Sequence, residues 1–213
     1  MSAYVVAMLV LRLAIFSIYG EVESGYYQAL LSIALALGAI SGPMITLFLA
    51  PILNRAIDPG QKFDAAHNFL KDLTLILSIL ALPIILFPKT VVYLLFSSAF
   101  ISISGIVFFF VLWQSLYQIT NIYQQLLIGL DDVYYCTWSI VAGYLIALAL
   151  CMPLLEKFGL AGAAITLIIS NAVTIAAIDY RLRSKYQAPI PLGLWGRTAF
   201  CCIGIVAVGT LFP

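Results

Sequence analysis

The stretch SGIVFFFVLWQSLYQITNIYQQLLIGL, residues Ser104–Leu130, decides the fold of this chain. It is a long, mostly apolar run without a single Asp, Glu, Lys or Arg. A helix needs about 20 predominantly apolar residues to cross the hydrocarbon core of a bilayer, and this run exceeds that length. We therefore predict that it forms a membrane-spanning α-helix.

The composition of the whole chain agrees with a lipid environment. Of its 213 residues, 64% are hydrophobic and only 9% are charged, and the mean hydropathy is +1.11. A soluble domain has about 25% charged residues, so water alone could not hydrate the surface of this chain. The formal net charge of +1 gives no reason to expect a nucleic-acid partner. The lipid bilayer is the partner that the composition predicts.

Seven segments are long and apolar enough to be predicted as spanning helices. They are Ser2–Tyr19, Gly25–Leu53, Phe69–Phe87, Ser104–Leu130, Val133–Leu155, Leu160–Ile178 and Leu192–Pro213. The predicted fold class is all-α integral membrane, with about seven transmembrane helices. A membrane β-barrel is not expected, because its strands would be short alternating segments. The apolar stretch Pro88–Ile103 is too short to span, which favours a short surface helix or a lip at the bilayer edge.

The connections carry nearly all the charge, and its distribution predicts the orientation. Alternate connections lie on opposite sides of the membrane, and one side receives only Lys89 and Lys157. The other side has seven basic residues, namely Arg55, Lys62, Lys71, Arg181, Arg183, Lys185 and Arg197. Because cytoplasmic loops are enriched in Lys and Arg, this second side is predicted to be cytoplasmic. Met1 is then in the cytoplasm and Pro213 is outside.

Arg12 is the one formally charged residue that falls well inside a predicted span. A charge at the bilayer centre costs about 2.5–3.5 kcal/mol on insertion scales, so it should meet a partner or water. One interpretation is a cationic wall of a water-filled cavity that attracts a phosphate. The other is an arginine whose long side chain extends to the membrane interface.

A stripe of polar side chains follows the fourth segment. Its members are Gln114, Tyr117, Gln118, Thr120, Asn121 and Gln125. The four amides among them are spaced four, three and four residues apart, which places them on one helical face. Amides are costly in hydrocarbon unless they find water or a partner. The stripe is interpreted either as the lining of a hydrophilic pathway or as hydrogen bonding between helices.

The second segment has a smaller polar face and a packing motif. Gln28 and Ser32 lie four residues apart on one face. Further along, Gly38 and Gly42 form a GxxxG pattern, which is typical of close helix packing in membranes. Gln28 and Ser32 join Arg12 and the amide stripe as candidate residues of a substrate pathway.

The sequence has no pattern typical of catalysis, metal binding or a cofactor. The four cysteines, Cys136, Cys151, Cys201 and Cys202, lie in apolar stretches and form no CxxC pair. His67 is the single histidine and has a polar setting. No P-loop, HExxH or GxSxG motif occurs. We therefore expect no enzyme activity, no catalytic residue, no metal and no cofactor.

Four short elements follow one another in a characteristic order along the chain. They are EVESGYYQALLSIA (Glu21–Ala34), LFLAPILNRA (Leu47–Ala56), LLFSSAF (Leu94–Phe100) and KFGLAGAAITLIIS (Lys157–Ser170). In this order they resemble the carboxy-terminal lobe of the multidrug/oligosaccharidyl-lipid/polysaccharide exporter superfamily. Within that superfamily the chain is most similar to the Wzx-type polysaccharide and O-antigen flippases.

The resemblance implies a flippase with two six-helix lobes around a central cavity. Such a protein moves a polyprenyl-pyrophosphate-linked oligosaccharide, for example an O-antigen unit of lipopolysaccharide, from the cytoplasmic to the outer leaflet of the bacterial inner membrane. Residues 1–186 would form the carboxy-terminal six-helix lobe, and residues 187–213 an additional transmembrane helix. An amino-terminal six-helix lobe would be missing, and the chain alone is then not expected to transport. Arg12 would belong to the seventh helix of the family, where cations face the cavity.

Two other functions remain open on the residues alone. The first is a cation-coupled drug exporter of the same superfamily, which would need a buried carboxylate that no predicted span of this chain supplies. The second is a membrane assembly subunit that packs against another protein without transporting anything.

Overall fold

The computed structural model describes residues 2–188, with side chains from residue 6 onward, and this part of the chain is helical throughout. The helices are α1 (Ser2–Tyr19), α2 (Glu21–Met44), α3 (Ala50–Arg55), α4 (Pro59–Leu86), α5 (Pro88–Leu95), α6 (Val107–Gly129), α7 (Val133–Phe158) and α8 (Leu160–Tyr186). A π-helical turn, Ile45–Leu49, joins α2 to α3, and a 3₁₀ segment, Ser98–Ile106, precedes α6. The described residues include no strand.

Five helical stretches are long and apolar enough to cross a membrane. They are Glu21–Arg55, Pro59–Leu86, Ser98–Gly129, Val133–Phe158 and Leu160–Tyr186. This result confirms the prediction of a helical chain with several helices able to cross a membrane, but it does not confirm the count of seven. The first predicted span is the helix α1, Ser2–Tyr19, whose residues 6–19 are apolar but fewer than a span needs, and the seventh, Leu192–Pro213, lies outside the described residues.

Helix α4 begins at Pro59, ten residues before the predicted start at Phe69. The polar segment that was expected to be a connection contains buried Phe63 and Ala66, which continue the apolar face of the helix toward Leu70. An apolar face at this spacing is enough to extend a helix through a polar sequence. Pro59 also favours the start of the helix here. A backbone N–H in the first turn has no partner within the helix, so the N–H that proline lacks is not missed.

The long helix α2 is continued into α3 by the π-helical turn rather than ended by proline. Pro51 has no N–H, so it cannot donate to the carbonyl group four residues earlier. The backbone N–H of Ala50 instead bonds to the carbonyl of Ile45, five residues back. The wider turn keeps the chain helical beside two prolines, Pro43 and Pro51. Such single π turns occur often at functional sites.

Helix α6 is the centre of the bundle. It packs against α2, α4 and α8, while α7 packs mainly on α8 and α1 bridges α2 and α7. The largest fully buried side chains of α6 are Phe110, Trp113 and Tyr123. Tyr27 of α2 meets the Phe110 ring edge to face, at 5.9 Å between centroids. The segment that first indicated a membrane helix is therefore the one that organises the others.

Helices α7 and α8 approach closely through small residues. A Cβ atom on Gly143 would collide with Thr174 and with the backbone carbonyl of Ser170. Where the helices join, a Cβ on Gly162 would collide with the backbone of Leu154. Lipid tails are as apolar as side chains, so membrane helices associate through such close backbone contact. The two glycines let α7 and α8 form the tightest pair in the bundle.

An ionic cluster ties the connection between α6 and α7 to the end of α8. Asp132 is buried, and its carboxylate accepts hydrogen bonds from Arg181 at 2.7 and 3.1 Å and from Lys185 at 3.3 Å. At the same end, the Lys62 ammonium donates to the carbonyl of Gly129 at 2.6 Å. The basic residues of separate connections thus meet at one end of the bundle, as alternating connections require. The side of the membrane that this end faces remains a prediction.

We predict that Gly162→Ala lowers the thermal stability of the protein in detergent. The added methyl group meets backbone atoms that cannot move aside, and overpacking of this kind costs about 1–3 kcal/mol. Buried Cys136 and Cys151 allow melting to be followed with a fluorogenic maleimide, in a background with Cys201 and Cys202 changed to Ser.

The matched control is Gly42→Ala, because no atom lies within 4 Å of a Cβ at Gly42. Alanine is the better helix former by about 1 kcal/mol, so this variant should melt at or above the wild-type temperature. Equal melting temperatures for Gly162→Ala and the wild type would contradict the close packing of α7 and α8.

We also predict an acid-sensitive contribution from Asp132. Hydrogen bonding from Arg181 holds the pKa of Asp132 below its ordinary value. The stabilisation is therefore present above the unfolded-state pKa of about 3.9 and is lost as the pH falls through the lower folded-state value. Asp132→Asn should reduce stability at neutral pH by about 1 kcal/mol, and it should flatten the acid branch of a melting-temperature profile.

Asp131→Asn is the control for this cluster. Asp131 is exposed and has a positive φ of 59°, a conformation that Asn tolerates. Its melting profile should follow that of the wild type. An acid branch that is equally steep in Asp132→Asn would show that Asp132 does not carry the effect.

Candidate functional site

Helices α1 and α2 form an antiparallel hairpin about Gly20. Gly20 has a φ of 84°, in the left-handed region that favours glycine. Arg12 lies eight residues before this turn and Gln28 eight residues after it. At a rise of about 1.5 Å per residue, both side chains leave their helices at the same level, roughly 12 Å from the turn. The hairpin thus brings together a cation and an amide that are distant in sequence.

A groove of about 710 Å³ runs along this hairpin. It is lined by Leu9, Arg12, Leu13, Phe16, Glu21, Ser24, Gly25, Gln28, Ala29, Ser32, Phe96 and Phe100. The lining residues of α1 are spaced three and four apart, as are those of α2, so each helix presents one face to the groove. Three of the predicted pathway residues, Arg12, Gln28 and Ser32, are therefore neighbours in one site.

The two sides of the groove differ in chemistry. The α2 side carries Ser24, Gln28 and Ser32, and the Ser32 hydroxyl donates to the Gln28 carbonyl at 2.8 Å. The α1 side carries exposed Leu13 and Phe16 around Arg12. The groove can therefore contact a polar part and an apolar part of one ligand at the same time.

Arg12 is exposed in the groove and makes no hydrogen bond or ion pair with any residue that the structure describes. The one carboxylate in the lining, Glu21, stands next to the turn at Gly20. Seven residues of helical rise separate their levels, which is roughly 10 Å. The guanidinium group is thus available to an anion, whereas the mouth of the groove carries the negative charge.

An aromatic lip borders the groove beside Tyr26, six residues after Gly20. We use the term lip for residues 93–100, which run from the last turn of α5 into the 3₁₀ segment. Phe96 and Phe100 line the groove from this lip, and their rings lie 5.4 Å apart. Tyr26 of α2 holds the lip in place, because its hydroxyl donates to the Ala99 carbonyl at 3.3 Å and its ring meets the Phe100 ring edge-on.

The amide stripe of α6 lies apart from the groove. Gln114 and Gln118 are buried against Gly38 of α2, where a Cβ atom would collide with the Gln114 amide. Gln118 accepts a hydrogen bond from Asn121 at 3.3 Å, whereas the Gln114 Oε1 atom has no partner among the described residues. None of the groove-lining residues comes from α6. In this conformation the stripe lies between helices.

The other members of the stripe are less enclosed. Tyr117 and Gln125 are half-buried, and the Tyr117 ring lies 6.2 Å from that of Trp113. Thr120 is buried and donates to the Leu116 carbonyl within its own helix. The stripe is thus enclosed at Gln114, Gln118 and Thr120 and partly accessible at Tyr117, Asn121 and Gln125. Its role as a pathway lining remains a prediction.

Sequence reasoning did not identify Glu21, Ser24, Phe96 or Phe100 as site residues. A hairpin pivot at Gly20 would have indicated Ser24, since it precedes Gln28 and Ser32 on the same face at a spacing of four. Phe96 and Phe100 come from a distant element, and no local pattern connects them with Arg12. Their position depends on the tertiary contact of Tyr26 with the lip.

The groove presents groups that can bind a ligand. Within residues 6–188, no group of three His, Cys, Asp or Glu side chains could hold a metal ion. A comparison of the chain with protein-family models, with curated proteins and with solved structures finds no match in any of the three. The function therefore has to be inferred from the chemistry of the groove, namely an accessible guanidinium between polar and apolar walls.

We predict that Gln114→Met leaves the stability of the protein unchanged or raises it. Methionine fills a similar volume and removes a buried oxygen that has no partner, a defect worth about 1–3 kcal/mol. Gln118→Met is the matched control, because it removes the hydrogen bond from Asn121 and should lower the melting temperature. Thermal melting in detergent measures both. A clear loss of stability in Gln114→Met would show that its amide has a partner, such as water, that the packing requires.

Proposed function

We propose that this chain is part of a flippase that moves a polyprenyl-pyrophosphate-linked oligosaccharide from the cytoplasmic to the outer leaflet of the bacterial inner membrane. The observation that carries the proposal is Arg12, an exposed guanidinium without a partner among the described residues, in a groove between α1 and α2. The sequence resemblance to polysaccharide flippases supports the same substrate class.

Energetics explain why such a substrate needs a groove of this kind. A pyrophosphate and a glycan are too polar to enter hydrocarbon, whereas the polyprenyl tail is soluble in it. Keeping a charge near the bilayer centre costs about 2.5–3.5 kcal/mol on insertion scales, so an unpaired arginine there is expected to serve a function. Arginine suits phosphate, because its planar fork can donate two parallel hydrogen bonds.

The polar wall of the groove suits the sugar units that follow the pyrophosphate. Ser24, Gln28 and Ser32 offer hydroxyl and amide groups, which both donate to and accept from sugar hydroxyls. The wall carries no acidic group near Arg12, so it does not repel the phosphates at that level.

A one-sided groove needs a partner surface to enclose its cargo. The exposed apolar residues Leu9, Leu13 and Phe16 of α1 flank the groove. We propose that a second helical lobe covers this face, in the arrangement that the resemblance implies. With Met1 in the cytoplasm, the Gly20 end and its lip would then lie at the outer leaflet.

The proposal is tested by Arg12→Ala in cells that make the complete transporter. We expect surface polysaccharide to fall at least about tenfold, because a charge-assisted contact is worth about 1.5–3 kcal/mol. Membrane levels of the protein should stay unchanged. Arg12→Lys should restore export in part, since it retains the charge but not the planar fork. Immunoblots of surface polysaccharide and of membrane fractions measure both quantities.

Lys89→Ala supplies the control, because Lys89 is an exposed cation near the lip that does not line the groove. Export in this variant should match the wild type. A normal amount of surface polysaccharide in Arg12→Ala would contradict the role assigned to the arginine.

A further inference from the structure

The lip has an exposed apolar surface that its own packing does not need. Val92 is fully buried and fixes α5 to the bundle. The three residues that follow it, Tyr93, Leu94 and Leu95, are 57%, 74% and 61% exposed. Phe96 comes next and turns into the groove. The chain thus passes from an outward apolar surface directly to the aromatic end of the groove.

The groove itself combines two chemistries at a fixed separation. Its cation, Arg12, lies eight residues before the Gly20 turn on α1, whereas Phe96 and Phe100 enter from the lip, where Phe100 packs on Tyr26, six residues after that turn on α2. An inorganic ion would have no use for the aromatic end, and a sugar that stacked on the two rings would have no use for the exposed leucines beyond them. An apolar molecule alone would have no use for the guanidinium. The ligand that satisfies both ends is an anionic amphiphile.

We propose that the lip is the binding site for the isoprenoid tail of such an amphiphile, with its phosphate or pyrophosphate head at Arg12. The tail leaves the groove across Phe96 and Phe100 and continues over Leu94 and Leu95 into the outer leaflet. This inference rests on the proposed function for the charge at the head, but it adds a residue set that selects the lipid carrier. Charge complementarity supports this occupant, because the head is anionic and Arg12 is the single cation in the lining.

The shape of the lip favours a flexible apolar chain. The Phe96 and Phe100 rings are tilted by 33° to each other, so they form an apolar corner and not a flat stack. Tyr26 supports the corner from behind through its edge-on contact with Phe100 at 5.4 Å. A bent, branched hydrocarbon fills such a corner better than a planar ring does, and each buried methylene group contributes about 0.8 kcal/mol.

The test uses a farnesyl pyrophosphate analogue that carries a photoactivatable diazirine at the end of its tail. The full chain in nanodiscs is labelled with it, and the modified peptides are mapped by mass spectrometry. We expect the label to concentrate between Leu94 and Phe100. Excess inorganic pyrophosphate should reduce it at least about tenfold, since both compete for one cation.

Variants separate the tail site from the head site. Phe96→Ser with Phe100→Ser should reduce labelling of the lip about tenfold, whereas Phe96→Leu with Phe100→Leu should keep most of it and confirms that the lip still folds. The double variant Leu75→Ser with Ile79→Ser, on the exposed face of α4, is the control. It should leave labelling of the lip unchanged.

Each outcome decides one part of the proposal. Equal labelling of the lip and of the exposed face of α4 would overturn the tail site, because it would show simple partition into lipid. Loss of lip labelling in Arg12→Gln supports the head and the tail together. Lip labelling that persists in Arg12→Gln, and that pyrophosphate does not reduce, would leave the tail site standing and reject the phosphate role of Arg12.

Discussion

A bilayer offers no water to polar groups, and the placement of polar groups in this protein follows from that constraint. Most of its polar side chains are at helix ends or bonded within their own helices, as with Ser41, which donates to the Leu37 carbonyl. The buried carboxylate of Asp132 lies at one end of the bundle, where Arg181 and Lys185 neutralise it. Arg12 is an exception, because it lies seven residues inside the end of α1 at Tyr19, faces an open groove and has no hydrogen-bond or ion-pair partner among the described residues. The functional proposal depends on this exception.

The central position of α6 explains why a groove forms between α1 and α2. Since α6 fills the centre of the bundle, α1 and α2 are held at the side, and one face of each is left uncovered. The contact of α1 with α7 includes a hydrogen bond from the Tyr19 hydroxyl to the Leu155 carbonyl at 2.6 Å. This bond fixes the turn end of the hairpin, so the groove is a stable feature between anchored helices.

Some of this could be predicted from the sequence and some could not. Long uncharged runs such as Ser104–Leu130 predict spanning helices, because helix length and bilayer thickness are both constants. The start of α4 was predicted ten residues late, since its buried Phe63 and Ala66 are hidden among polar neighbours. The amide stripe was correctly placed on one face, but spacing alone cannot say whether that face meets water or a helix such as α2. Gly38 packs closely against Gln114 of α6, as the GxxxG pattern predicts, whereas no atom lies within 4 Å of a Cβ at Gly42.

Hydration of the groove at the level of Arg12 can be measured directly with spin labels. A nitroxide label at Gln28→Cys can be compared with one at Ile79→Cys, an exposed position seven residues before the end of α4, just as Gln28 is seven residues after the start of α2. In nanodiscs, a hydrated groove should let a water-soluble nickel chelate collide more often with the label at position 28 than with the label at position 79. Oxygen dissolved in lipid should collide more often with the label at position 79. A lipid-like pattern at both positions would contradict a hydrated, cationic groove and the transport function inferred from it.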